Sequence, residues 1–259
     1  VRDPRRARFI GAGVAAGMLA LGGVGYVALA RGAGPAPCSD GLALAVSAWN
    51  PGVQQQIAQA FAATHRPDAA SMLAHVSPIF DRWRDAWSAA YTDACKDTRV
   101  RRVQAEHVLD LRTSCLNRRL DVARAEIAAR ATGGGSAVDH APDIANALPS
   151  PGPCSDVAAL AATPPPATNN AAAVAAVRLR LASARAQRTI GHYAQDLALA
   201  RAALADAKAT RYAPVVVEAE VELGIAKQTC AEGERSGRVE QSMGDACATD
   251  SLADRTGPR

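Results

Sequence analysis

The chain has 259 residues, 49% of them hydrophobic but only 4% aromatic, and a formal net charge of +4. That length allows one or two domains of ~100–200 residues each, and the weak charge, with no basic stripe interleaved with aromatics, gives no support to nucleic-acid binding. Much of the hydrophobic content is alanine, the strongest helix former, while strand-favouring aromatics are scarce, so the expected fold class is all-α.

In chain order, residues 1–8 read as a basic juxtamembrane segment carrying Arg2, Arg5, Arg6 and Arg8. The uncharged run Phe9 to Leu29 follows. About 20 apolar residues at ~1.5 Å each span a bilayer core, and the arginine bias keeps the N-terminus cytoplasmic. Residues 9–29 are therefore expected as a single transmembrane helix, with the bulk of the chain extracytoplasmic. A signal peptide cleaved near Ala28-Leu29-Ala30 is the competing reading, but the run exceeds the usual h-region of about 7–15 residues. Gly13 and Gly17 form a small-xxx-small pair that supports a homodimer through this helix. The chain starts at Val1 with almost nothing before the span, from which a longer parent polypeptide is expected.

After a spacer at 32–37, a first helical domain is expected over 38–155. Helices are predicted over Leu42–Trp49 and Pro51–Thr64, with Pro51 in the first turn, and a short one over Asp68–Ala74. Pro78 opens a long helix, along which Phe80, Trp83, Trp87, Tyr91 and Ala94 share one face. The next begins near Gln104, with Leu109, Thr113, Leu116, Leu120 and Ala123 on one stripe and Leu111, Cys115 and Val122 beside it. Trp49, Trp83 and Trp87 are expected in the core rather than in a ligand platform. Gly133 to Ser136 reads as a flexible break, and Pro149–Pro153 with Thr163–Asn170 as a spacer. Over 171–228, Val174, Val177, Leu181 and Ala184 form one stripe; Tyr193, Leu197, Ala200, Leu204 and Ala207 form a second; Val216, Ala219, Leu223 and Ala226 begin a third. The apolar period fails after Gln228, so 229–259 is expected as a disordered or aberrant tail.

The six cysteines are Cys38, Cys95, Cys115, Cys154, Cys230 and Cys247. None form C-x-x-C and the five histidines are scattered, so neither a metal site nor a cofactor is expected. An exported body makes disulfides the default. Cys95 and Cys115 are equidistant from the turn at Arg101–Ala105, which predicts a bridge between them and leaves Cys38 for Cys154. Cys230 and Cys247 are expected to be unpaired with the core. His107, Asp110, Arg112 and Asn117 echo a kinase catalytic loop with the wrong spacing, and no nucleophile elbow is present, so no catalytic residue is assigned.

Two patterns resemble known families. Ala172 to Thr210, with Gly191-His192-Tyr193 at the turn and Leu223-Gly224 beyond, resembles the tetratricopeptide repeat, although Asp196 stands where a small alanine is usual. Trp87, Tyr91 to Cys95, Lys96 to Arg99 and Leu109 to Leu120 resemble the extracytoplasmic region of bacterial transmembrane serine/threonine protein kinases that end in such repeats. The resemblance implies a receptor-like sensor and protein-interaction region, non-catalytic in itself, whose kinase domain lies outside this chain. It implies a protein or peptide partner, for which Arg178, Arg185, Arg188 and Tyr193 are the candidate binding residues; for Arg178, Arg180, Arg185 and Arg188 a solvated charged face is the preferred reading over a groove for an acidic peptide. A stand-alone membrane-tethered repeat scaffold and a secreted helical protein are the alternatives.

Overall fold

Asn50 shows how local chemistry sets the first elements. Its side-chain Oδ1 accepts from the amides of Gly52 and Val53 at 2.9 and 3.1 Å, and Pro51 occupies the first helical position. It thereby separates α1 (Asp40–Ala48) from α2 (Pro51–Ala62). The structure, a computed structural model, describes residues 38–235 and Cys247. The expected basic segment at 1–8, membrane span at 9–29, Gly13–Gly17 pair and most of the tail lie outside the described residues. The chain divides into two units, Val1–Ser39 and Asp40–Arg259. All helices and helical turns below belong to the second. Among the described residues no strand occurs, and no helix is long and apolar enough to cross a membrane.

α3 (Ala69–Arg99) is one helix, where the sequence suggested two. Pro78 sits inside it and removes one amide donor. The helix continues because its buried face does: Val76, Phe80, Trp83, Trp87 and Ala94 keep helical spacing across the proline. The tryptophans are core residues as expected, each with its indole N–H satisfied: Trp49 donates to Asp81, Trp83 to the Pro149 carbonyl and Trp87 to the Leu116 carbonyl. Trp49 also stacks on Phe80, with centroids 4.3 Å apart.

The turn to α4 (Glu106–Thr132) is held by polar side chains. Gln104 donates to the Ala94 carbonyl and to Thr98 Oγ1, while Arg112 donates to Asp97 and to Gln104. The expected Cys95–Cys115 bridge does not form, because Cys115 is bonded elsewhere, and the ion pair shows how the helices are turned. Asp97 faces α4, so Cys95, two residues earlier, lies about 200° round the helix from it. It stands one turn beyond Tyr91 and Thr92, the flank against which Gly41 of α1 packs. Cys115 is bonded instead to Cys154, with Cα atoms 5.6 Å apart, so the expected Cys38–Cys154 pairing is corrected as well. Cys38 and Cys95 are nonetheless both disulfide-bonded.

Gly133 ends α4, but the expected flexible break is largely α5 (Gly134–Asp139). A 3-10 turn (Ala141–Asp143), α6 (Ile144–Ala147), a second 3-10 turn (Gly152–Ser155) and α7 (Val157–Ala161) follow. The proline-rich segments expected as a semi-rigid spacer are held to the helices by the Trp83 bond, the Cys154 disulfide and a 2.6 Å bond from the Tyr212 hydroxyl to the Pro164 carbonyl.

α8 (Ala171–Thr189), α9 (Tyr193–Thr210) and α10 (Ala213–Arg235) are joined by short turns and pack as antiparallel neighbours. Gly191 turns at φ +81°, and Asn170 at the start of α8 donates to the Thr210 carbonyl at the end of α9. The core here is the predicted one: Val174, Val177, Leu181, Ala207 and Ala219 cluster together, as do Ala184, Leu197, Ala200 and Ala226. α10 runs past the expected end at Gln228. Cys230 is buried on it and bonded to Cys247, so these cysteines join the core that was expected to lack them.

Candidate functional site

α8 packs against α4 as well as α9, and a cleft lies along the α4–α8 seam. Its inner lobe, about 290 Å³, is walled by Arg118, Arg119, Val122 and Cys115 of α4 and by Arg178, Leu181 and Arg185 of α8, with Glu218 of α10 at the side. The outer lobe, about 480 Å³, shares Arg118, Asp121 and Arg178 with it and adds Leu160, Pro165, Pro166, Val174 and Tyr212. The inner lobe is rich in arginine, whereas the outer lobe sets apolar Leu160, Pro165, Pro166 and Val174 against polar Asp110, Thr113, Ser114 and Asn117.

The carboxylates near the inner lobe are committed. Glu218 takes a two-point grip on Arg178, at 3.0 and 2.7 Å, and Asp121 pairs with Arg124 at 3.2 Å. Glu218 holds the Arg178 guanidinium more firmly protonated than usual, against the effect of burial. Arg118 and Arg119 make no ion pair among the described residues. Arg118 donates to Ser114 Oγ at 3.0 Å, and Arg119 donates to Cys154 Sγ at 3.2 Å. Much of the Arg118 side chain meets solvent, yet its surroundings are crowded enough that burial, and then the charge of Arg178, pull its pKa below the ordinary value. Burial does the same at Arg119.

Behind the cleft lies a charge network. Arg185 donates to Glu222 at 2.6 Å; Arg188 reaches Glu222 at 2.5 Å and Asp196 at 3.0 Å. Asp196 and Glu222 are almost wholly buried. Burial raises the Asp196 pKa from 3.8 to about 6, although Arg188 pulls it down, and among the described residues its Oδ1 has no hydrogen-bond partner. Across the seam, the buried pair Arg130–Glu126 is closed at 2.7 Å, and Thr189 of α8 donates to Glu126 at 3.1 Å.

The predicted binding residues are thus divided. Arg178 and Arg185 line the cleft but are held by Glu218 and Glu222. Arg188 belongs to the buried network and a neighbouring hollow with Glu126 and Asn146. Tyr193 packs half-buried against the cluster of Leu197 and Ala226. Sequence reasoning missed Arg118, Arg119 and Tyr212. The readable signal was the adjacent arginine pair on a helix whose apolar stripe was already too wide for one neighbour. Chemically the cleft offers guanidinium donors without a paired acid and base, an arrangement suited to holding anions. Comparison with protein-family models, with curated proteins and with solved structures gave no match.

Proposed function

We propose that this chain is the membrane-anchored, extracytoplasmic sensor and protein-interaction region of a receptor-type bacterial serine/threonine protein kinase, non-catalytic in itself. The observation that carries this reading is that all six cysteines are disulfide-bonded. Disulfides persist in oxidising compartments and are rare in reducing ones. The apolar run at 9–29 behind Arg2, Arg5, Arg6 and Arg8 supports anchorage with the N-terminus inside. The antiparallel set α8–α9–α10, turned at Gly191, supports the tetratricopeptide-like part, and the cationic cleft gives a sensor somewhere to bind its signal.

Alkaline phosphatase fused behind Gly32, and separately behind Arg235, tests the topology. Both fusions are expected to be active, because the enzyme folds only after export; inactive, cytosolic fusions would sink the receptor reading. The coding frame upstream of Val1 separates the kinase reading from a stand-alone tethered scaffold, since only the former calls for an in-frame kinase domain.

A further inference from the structure

We propose that the α4–α8 cleft binds a small amphiphilic anion, its oxyanion head held by Arg118 and Arg119 and its apolar body laid against Leu160, Pro165 and Tyr212. The proposal rests on the sensor reading for what such a ligand would report. Its test needs neither the membrane topology nor a kinase domain, so either can fail alone.

The inner lobe selects charge. The carboxylates around the inner lobe are engaged: Glu218 holds Arg178, Glu222 holds Arg185, and Asp121 sits on Arg124; Asp110, on the wall of the outer lobe, makes no ion pair among the described residues. Arg118 and Arg119 bring two further positive charges to the same space, and among the described residues neither forms an ion pair; their hydrogen bonds go to Ser114 and Cys154. A bound anion would relieve the repulsion between Arg118 and Arg178, which now weakens the hold of Arg118 on its proton. Both free guanidiniums are also braced, by Ser114 and by Cys154 at the disulfide, so less rotamer freedom remains to be lost on binding. The planar fork of arginine matches phosphate, sulfate and carboxylate oxygens better than a point charge would.

The outer lobe selects shape. It shares Arg118 and Arg178 with the inner lobe; one wall is apolar, with prolines, Leu160, Val174 and the ring of Tyr212, and the α4 wall is polar, with Asp110, Thr113, Ser114 and Asn117. The Tyr212 hydroxyl is occupied by the Pro164 carbonyl, which fixes the ring. The lobes lie toward the small end of the roughly 300–1,000 Å³ usual for small-molecule sites, so a compact ligand fits.

The test is calorimetry on the oxidised full chain in detergent at low salt, with phenyl phosphate, inorganic phosphate and phenol as probes. Phenyl phosphate is expected to bind at least about tenfold tighter than inorganic phosphate, and phenol not to bind. Arg118→Gln should weaken phenyl phosphate about tenfold, the usual worth of a charged hydrogen bond. Glu218→Gln, which releases Arg178, should tighten it. Arg82→Gln, an exposed control on α3, should leave it unchanged. The proposal is overturned if phenyl phosphate shows no saturable binding below about 10 mM to a chain with native circular dichroism. Equal losses for Arg82→Gln and Arg118→Gln would also overturn it. So would inorganic phosphate or phenol binding as tightly as phenyl phosphate.

Discussion

Asp196 carries the clearest consequence at the scale of one residue. Its folded pKa of about 6 lies above its ordinary 3.8, so the native state holds the proton more tightly than the unfolded chain. Its protonated form therefore favours folding below about pH 4, and that advantage is lost as pH rises through 6. A shift of that size corresponds to roughly 2–3 kcal/mol. Urea denaturation from pH 4 to 7 should show Asp196→Asn flattening this part of the stability profile and gaining on the parent as pH rises; parallel profiles would show that Arg188 fully compensates the carboxylate. Gly191 is a second such residue. At φ +81°, a Cβ there would stand 2.7 Å from His140 Nε2. Gly191→Ala should cost about 1–3 kcal/mol for the backbone conformation alone, with the steric clash added. Chemical denaturation reads this directly, and a near-neutral change would mean the turn can rearrange.

Between elements, the α4–α8 seam depends on a buried ion pair. Glu126→Ala would strand the fully buried Arg130 and remove the acceptor of Thr189, at an expected cost of about 3–5 kcal/mol. Replacing both Glu126 and Arg130 with apolar residues of similar volume should restore most of that; if the double variant is no better than the single, the pair itself is stabilising. The Cys115–Cys154 bridge closes a separation of 39 residues, worth about 4 kcal/mol in the chain-entropy account. Non-reducing peptide mapping should recover Cys115 linked to Cys154, and a Cys95–Cys115 peptide would contradict the register of α3 on α4. That register also shows what sequence spacing conveys. Distance from the turn placed Cys95 and Cys115 at similar heights, but height is not azimuth. The flank of α3 that faces α4 is fixed by tertiary contacts, the Asp97–Arg112 pair and the Trp87 bond to the Leu116 carbonyl among them.

For the whole molecule, the proline-rich stretch 163–170 joins regions that already bury surface against each other. Ala129 and the Ala186–Ile190 end of α8 are buried in one core, and a Cβ on Gly133 would meet Ile190 Cδ1 at 2.6 Å. A protease site engineered between Thr168 and Asn169 should therefore yield fragments that still elute together under native conditions. Their separation would show that the linker, rather than the seam, holds the two helical regions.

The helical stripes were legible in the amino-acid order because burial on a helix repeats every 3.6 residues: the predicted faces of α3, α8 and α9 are the buried ones. The tryptophan core was readable for the same reason. Pairing between elements was not. The partner of Cys115, the neutralisation of Arg178 and Arg185 by α10, and the exposure of Arg118 and Arg119 to one cleft all depend on helix rotation. Local periodicity determines which face is apolar; packing in three dimensions decides which neighbour that face meets, and therefore which charges are left over to bind something else.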